Sequence, residues 1–238
     1  ASPDVRAEVV RVLQALGEEG ARALLPGLAD QDADHLARVA ECLVVLGDQA
    51  LDLVRGELAS PAGETRFGAV EVLALARRAG DAEALAGLLD DPEPRIRARV
   101  CRLLPEISPT VAISRLTGML GDEDSAVACT AATSLASLGQ PGIEALLGRV
   151  EPNAGGDQPA LAGLRSAGEP GLATLRSLLA GPVASVRASA ATALGLLPDP
   201  GSIPMLTRAA GDLDRAVQAA ASASLVSFGA QAVPAVFD

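Results

Sequence analysis

The chain contains no lysine, no tryptophan and no tyrosine, and only one histidine. Without lysine there is no Schiff-base amine, no phosphate-loop lysine and no ammonium base. A lone His35 excludes any two-histidine metal motif, and no Ser–His–Asp arrangement stands out beyond chance. Aromatic residues make up 1% of the chain while hydrophobic residues make up 49%, so the core has to be built from Ala, Leu and Val. The three cysteines, Cys42, Cys101 and Cys129, are odd in number, widely spaced and set in apolar text. This is the pattern of small buried hydrophobes in a reducing compartment. No apolar run approaches the roughly eighteen residues of a membrane span, and no signal-like pattern opens the chain. A formal charge of −11 and a pI near 4.6 argue against a nucleic-acid partner, because that affinity needs clustered positive charge. These absences lead to the expectation of a cytoplasmic chain with no catalytic residues, no cofactor, no bound metal and no direct membrane insertion. The carboxylates are expected on solvated turns. The start at Ala1 without Met and the stop at Asp238 suggest a fragment of a longer protein or a processed chain.

What is present is a repeated phrase. In Val186–Leu197 the apolar residues Val186, Ala190, Leu194 and Leu197 fall at offsets 0, 4, 8 and 11, one stripe of an α-helix. The same spacing gives Val5, Val9, Leu13, Leu16; Ile96, Val100, Leu104, Ile107; Val127, Ala131, Leu135, Leu138; and Val217, Ala221, Leu225, Phe228. The period is about 30 residues, each unit reading as a short amphipathic helix, a turn and a longer helix. Closures are expected at Gly17, Gly47, Gly80, Ser108, Gly139, Gly168, Pro198 and Gly229. This predicts an all-α, right-handed α-α superhelix of about seven helix pairs as a single array. It would comprise a leading helix 1–17, repeats near 18–47, 48–80, 81–108, 109–139, 140–168, 169–199 and 200–229, and a trailing half-repeat 230–238. Ser2, Asp32, Glu93, Asp124, Asn153 and Asp214 stand three residues before the stripe, where several can cap the second helix.

The phrase Asp or Glu, then Val-Arg-x-x-Ala-Ala-x-Ala-Leu, resembles the short HEAT-like repeat of bacterial proteins, including phycobilin lyase subunits. Ser185–Leu197 carries it best, with Pro94–Leu104 and Asp124–Leu138 close behind. The resemblance implies an interaction surface first: a scaffold that holds a peptide, helix or domain of another protein in its concave groove. A lyase-like enzyme or lyase chaperone is the alternative. It would need a partner subunit and a chromophore pocket, which the lack of Tyr, Trp and Lys disfavours. A regulatory segment of a larger, membrane-associated protein is a third reading. Arg6, Arg66, Arg97 and Arg187 match the family's arginine after the first stripe residue, and are expected to bridge to acids as a structural ladder. Leu36, Ala128, Asp157 and Gln218 replace that arginine elsewhere.

Several places break the rhythm. Arg77 and Arg78 are expected to extend their helix by almost a turn, and His35 occupies a stripe position, so either its ring is partly wet at a helix end or Leu36 rotates in. In 151–159 Gly156 stands where Val belongs, marking a hinge or a decayed repeat. Residues opposite the stripe map the expected concave face. One row runs Arg11, Glu41, Glu71, Arg102, Thr133, Ala162, Thr192, Ala223, charged first and small later. Residues 1–119 hold 32 charged side chains and residues 120–238 only 17. The second half therefore offers close approach to a partner segment at Thr133, Arg165, Ala188, Thr192, Gly195, Ala219, Ala223 and Val226, unless its small residues are simply tightly packed. Arg95, Arg99 and Arg102 share a helix face, either to grip an anionic segment or to neutralise Asp90, Asp91 and Glu93. Phe67, on the presumed exposed side, is a candidate anchor.

Overall fold

A computed structural model of the chain describes residues 11, 12, 14–151, 157–197 and 199–232. Ser2, Val5, Arg6, Val9, Leu13, Asn153, Gly156, Pro198 and Phe237 lie outside the described residues, as do most of 1–17 and residues 233–238. Every regular element among the described residues is helical, and the chain is an all-α helical-repeat protein. Its contacts group it into two units, Ala1–Val111 and Ala112–Asp238.

In the first unit shorter and longer helices alternate: α1 (Glu18–Leu24), α2 (Ala33–Leu46), α3 (Asp48–Glu57), α4 (Gly63–Ala76), α5 (Ala82–Ala86) and α6 (Pro94–Ile107). The longer helix of each pair packs on the next, α2 on α4 and α4 on α6. The second unit begins within α7 (Pro109–Met119) and holds α8 (Ser125–Ala136), α9 (Gln140–Leu147), α10 (Pro159–Ser166), α11 (Gly168–Leu179), α12 (Ala184–Leu196), α13 (Ile203–Ala209) and α14 (Arg215–Ser227). There α8 packs on α10, and α12 on α14.

The stripe is the core. Ile96, Val100, Leu104 and Ile107 are buried on α6, Val127, Ala131 and Leu135 on α8, and Ala190 and Leu194 on α12, with Leu197 just beyond it. Stripe ends are wetter: Val186, Leu138, Leu225 and Phe228 are half-buried and Leu16 is exposed. Asp32, Asp124 and Asp214 each accept hydrogen bonds from the amides two and three residues on, capping α2, α8 and α14. Glu93 makes no such cap, because its carboxylate turns to Arg95.

Three expectations are corrected. Arg77 and Arg78 do not extend α4. The helix stops at Ala76, where Arg77 takes the left-handed helical conformation (φ 49°, ψ 43°); Gly17, Gly47, Gly139, Gly168 and Gly229 also have positive φ, but the first three combine it with ψ between −126° and −155°. Ion pairs draw the two arginines apart, Arg77 to Glu106 at 2.9 Å and Arg78 to Asp48. The reading of His35 stands as expected: its ring is exposed at the start of α2 and pairs with Asp30, while Leu36 takes the buried position beside it. Of the cysteines only Cys101 is buried. Cys42 is half-buried and Cys129, which faces away from the stripe, is exposed. Finally, Asp81, Asp91 and Asp199 are buried rather than solvated, for reasons set out below.

Helix contact is close where side chains are smallest. A Cβ at Gly163 would stand 2.6 Å from the Ala132 carbonyl oxygen, so α10 lies against the α8 backbone. Ser224 and Ser227 on α14 donate to the Ala191 and Gly195 carbonyls of α12, each at 2.8 Å. Gly163→Ala should therefore lower stability by about 1–3 kcal/mol. Gly118→Ala, on a helix with nothing within 4 Å of the added carbon, should raise it by about 0.5–1 kcal/mol. Urea unfolding of the two variants checks the opposite signs.

Candidate protein-interaction surface

The surface is held in place by charges that are themselves mostly hidden. Arg66, at the second position of its stripe on α4, sends Nη1 to the carbonyls of Ser60 and Pro61 (2.9 and 3.2 Å), which form the turn leading into its own helix. Its Nε and Nη2 grip both oxygens of Asp91, in the turn of the next repeat, at 2.7 and 2.9 Å. Arg187 repeats the arrangement on α12: Gly181 and Pro182 carbonyls at 3.1 Å each, and Asp212 at 2.9 and 2.8 Å. Arg97 makes the same local contacts to Asp91 and Pro92. Gln218 stands at this position on α14 and donates to the Asp212 carbonyl at 2.6 Å, keeping the local half of the contact with a shorter side chain. Arg6 lies outside the described residues.

The receiving aspartate opens an Asp-x-Asp or Asp-x-Glu pair. Its Oδ1 accepts the amide two residues on, at Asp30–Asp32, Asp91–Glu93, Asp122–Asp124 and Asp212–Asp214. At Asp91 and Asp212 one oxygen thus shapes the turn while the carboxylate as a whole takes the arginine fork. A second tier joins the shorter helices: Arg55 on α3 binds Asp81 at 2.6 Å, and Arg176 on α11 binds Asp199 at 2.7 Å, each acid lying just ahead of the next short helix. This tier has no signature in a local sequence window. Its signal is a spacing of 26 and 23 residues, close to one repeat.

Burial pushes the Asp91 carboxyl up. The Arg66 hydrogen bonds, the Glu93 amide and the charges of Arg66 and Arg97 outweigh it and hold the group below the ordinary carboxylate range. Asp199 balances in the same way, burial against Ser202 and Arg176, and is also lowered. Asp212 is lowered chiefly by Arg187 and then by the Asp214 amide.

With these charges tied into the turns, the outward faces of the longer helices differ between units. On the first unit, Arg95 pairs with Glu64 (2.8 Å) and Glu93 (2.7 Å) and lies over the Phe67 ring, 5.3 Å from its centroid. Arg99 grips Glu71 through two bonds, 2.5 and 2.9 Å. The expected basic face is thus largely neutralised by α4 acids one repeat earlier, leaving Arg102 exposed with no ion pair among the described residues. Phe67 is half-buried rather than freely exposed, and it helps line a depression of about 410 Å³ between α2 and α4.

On the second unit the face is neutral. Thr192, Gly195, Ala219, Ala223, Ser224 and Ser227 line a depression of about 440 Å³ between α12 and α14, without a charged side chain. Ala219 and Ala223 are exposed, and Val226 nearby is 78% exposed. Ala188 is half-buried. Thr133 lines a separate depression of about 360 Å³ with Ser137, Ser166 and Thr174, and Arg165 is exposed on α10. Ala136 lines the same depression as Thr133 but is buried. The described residues hold no group of three or more His, Cys, Asp or Glu placed to bind a metal, and no helix long and apolar enough to cross a membrane.

Residues 82–163 and 172–238 match the family model for HEAT repeats. No curated protein sequence matches the chain. Among solved structures, human deoxyhypusine hydroxylase in complex with glycerol is similar at 19% identity, covering 93% of this chain and 89% of that one, with a TM-score of 0.43. The complex of CpcE and CpcF of phycocyanin lyase from Nostoc is similar at 20% identity, covering 99% and 89%, with a TM-score of 0.38. A designed armadillo repeat protein in complex with the peptide (KR)4 is similar at 18% identity, covering 93% and 98%, with a TM-score of 0.31.

Because the Asp91 carboxyl is lowered, its contribution to stability is complete above the ordinary carboxylate value of about 3.9 and is lost as pH falls through the depressed value. Asp91→Asn should therefore be clearly less stable than the wild type at pH 7, with the gap closing toward pH 2.5. Thermal melts across that range, followed by circular dichroism, check the convergence.

Proposed function

From the HEAT-repeat family, to which this chain belongs, we propose that it acts as a non-catalytic interaction module that holds a segment of another protein on the outward face of α12 and α14. The observation that carries this reading is the uncharged depression between those helices, where the exposed Ala219 and Ala223 leave room for close approach of a partner backbone. A repeat array presents such faces as extended, nearly preformed surfaces. Apolar contact there releases water without having to strip a charged group of its hydration. The exposed Val226 beside the depression adds apolar area at its rim. The non-catalytic reading is supported by burial and then the Glu41 charge pushing the Cys42 thiol up, away from a reactive thiolate. A cytoplasmic setting accompanies this reading as part of the proposal.

The experiment is an affinity capture from a lysate of the source organism, quantified by mass spectrometry, with wild type and an Ala219→Arg/Ala223→Arg variant. Both sites are exposed, so the variant should fold with an unchanged circular dichroism spectrum. At least one protein retained by the wild type should fall about tenfold or more with the variant, as expected when charge is forced into an apolar contact. Identical retained sets would contradict the assignment of this face.

A further inference from the structure

The first unit carries a second surface of different chemistry. Between α2 and α4, the depression of about 410 Å³ has a floor of Ala37 and Ala40 and apolar walls from the half-buried Phe67 and from Leu75, which is 49% exposed. Its only charged lining groups are two carboxylates, Glu41 and Glu71, and no basic side chain lines it. The two acids are not equivalent. Glu71 is occupied by the Arg99 fork. Glu41 is exposed at the rim with no ion pair or hydrogen bond among the described residues. Its neighbour on the same helix, Arg38, adds its charge toward Asp30 at the helix start.

We infer that this depression binds a segment of a partner protein that combines an apolar anchor side chain with an adjacent arginine or lysine. The anchor would sit against Phe67 and Leu75, and the cation would pair with Glu41. Charge complementarity selects this occupant. An acidic segment would meet the unpaired carboxylate of Glu41, and a purely apolar one would leave that group desolvated without a partner. An aromatic wall beside a cation-accepting acid suits an anchor flanked by basic residues, since Arg and Lys carry apolar stems that cover such walls. This site is independent of the α12–α14 reading and uses none of its residues.

The test is fluorescence anisotropy with a labelled peptide of Arg-Leu-Arg-Ser repeats and its Glu-Leu-Glu-Ser counterpart, at about 0.15 M salt, where nonspecific surface attraction is screened. The basic peptide should bind and the acidic one should not. Glu41→Arg and Leu75→Glu should each weaken binding by about tenfold or more. Glu57→Arg changes the net charge equally, lies outside the depression and should leave binding within twofold, as should Ala219→Arg/Ala223→Arg. Unchanged circular dichroism spectra exclude misfolding of these variants. The inference is overturned if the basic peptide does not bind, if both peptides bind equally, if Glu41→Arg has no effect, or if Glu57→Arg weakens binding as much. None of these outcomes bears on the second-unit face.

Discussion

The arginine–aspartate clamp between successive repeats is the constraint on which the rest depends. A core of Ala, Leu and Val is smooth, and smooth helix faces pack nearly as well after a small rotation or slide. Arg66 removes that freedom. Its three nitrogens tie the turn before its own helix to both oxygens of Asp91 in the next repeat, so two turns are held in one fixed relation. Taking such a pair out of water is costly, and the compensation lies in saturating the hydrogen-bonding capacity of both partners. Arg187 and Asp212 reproduce the geometry in the second unit with slightly wetter side chains. The pattern of substitution at this position is informative: Gln218 retains only the bond to its own turn.

This use of charge explains the surface. Half-buried and buried ion pairs occupy the turns and, on the first unit, cross from α4 to α6 through Glu64–Arg95 and Glu71–Arg99. What remains outward is residual: an unpaired Glu41 beside apolar walls on one unit, and alanine, serine and threonine on the other. Two faces built on one repeat scheme therefore differ in what they can hold. The difference arises because the second unit has few charged residues left once its clamps are made.

The helices and their buried faces were legible because the 0, 4, 8, 11 spacing is local and recurs. Ile96, Val100 and Leu104 could be placed in the core from twelve residues of text. Asp32, Asp124 and Asp214 were legible as caps for the same reason. The clamps were only half legible: the arginines were visible by position, but their partners lie about 25 residues on, and no short window joins them. The neutralisation of Arg95 and Arg99 was partly legible for a related cause. Glu93 could be named beside Arg95, but Glu64 and Glu71 sit one repeat back on α4, and only the register between neighbouring helices brings them in. Arg77 shows a third limit, because a left-handed residue that is not glycine carries no compositional mark.

The most direct test of the clamp is a double-mutant cycle on the first-unit pair, with Arg66→Met, Asp91→Leu and the double variant unfolded in urea at pH 7. Each single change leaves a buried charge without its partner and should cost about 3–5 kcal/mol. The double variant should be more stable than the sum of the singles by about 2 kcal/mol or more, the signature of direct coupling. Additive losses, with coupling near zero, would contradict the view that these two residues set one repeat against the next.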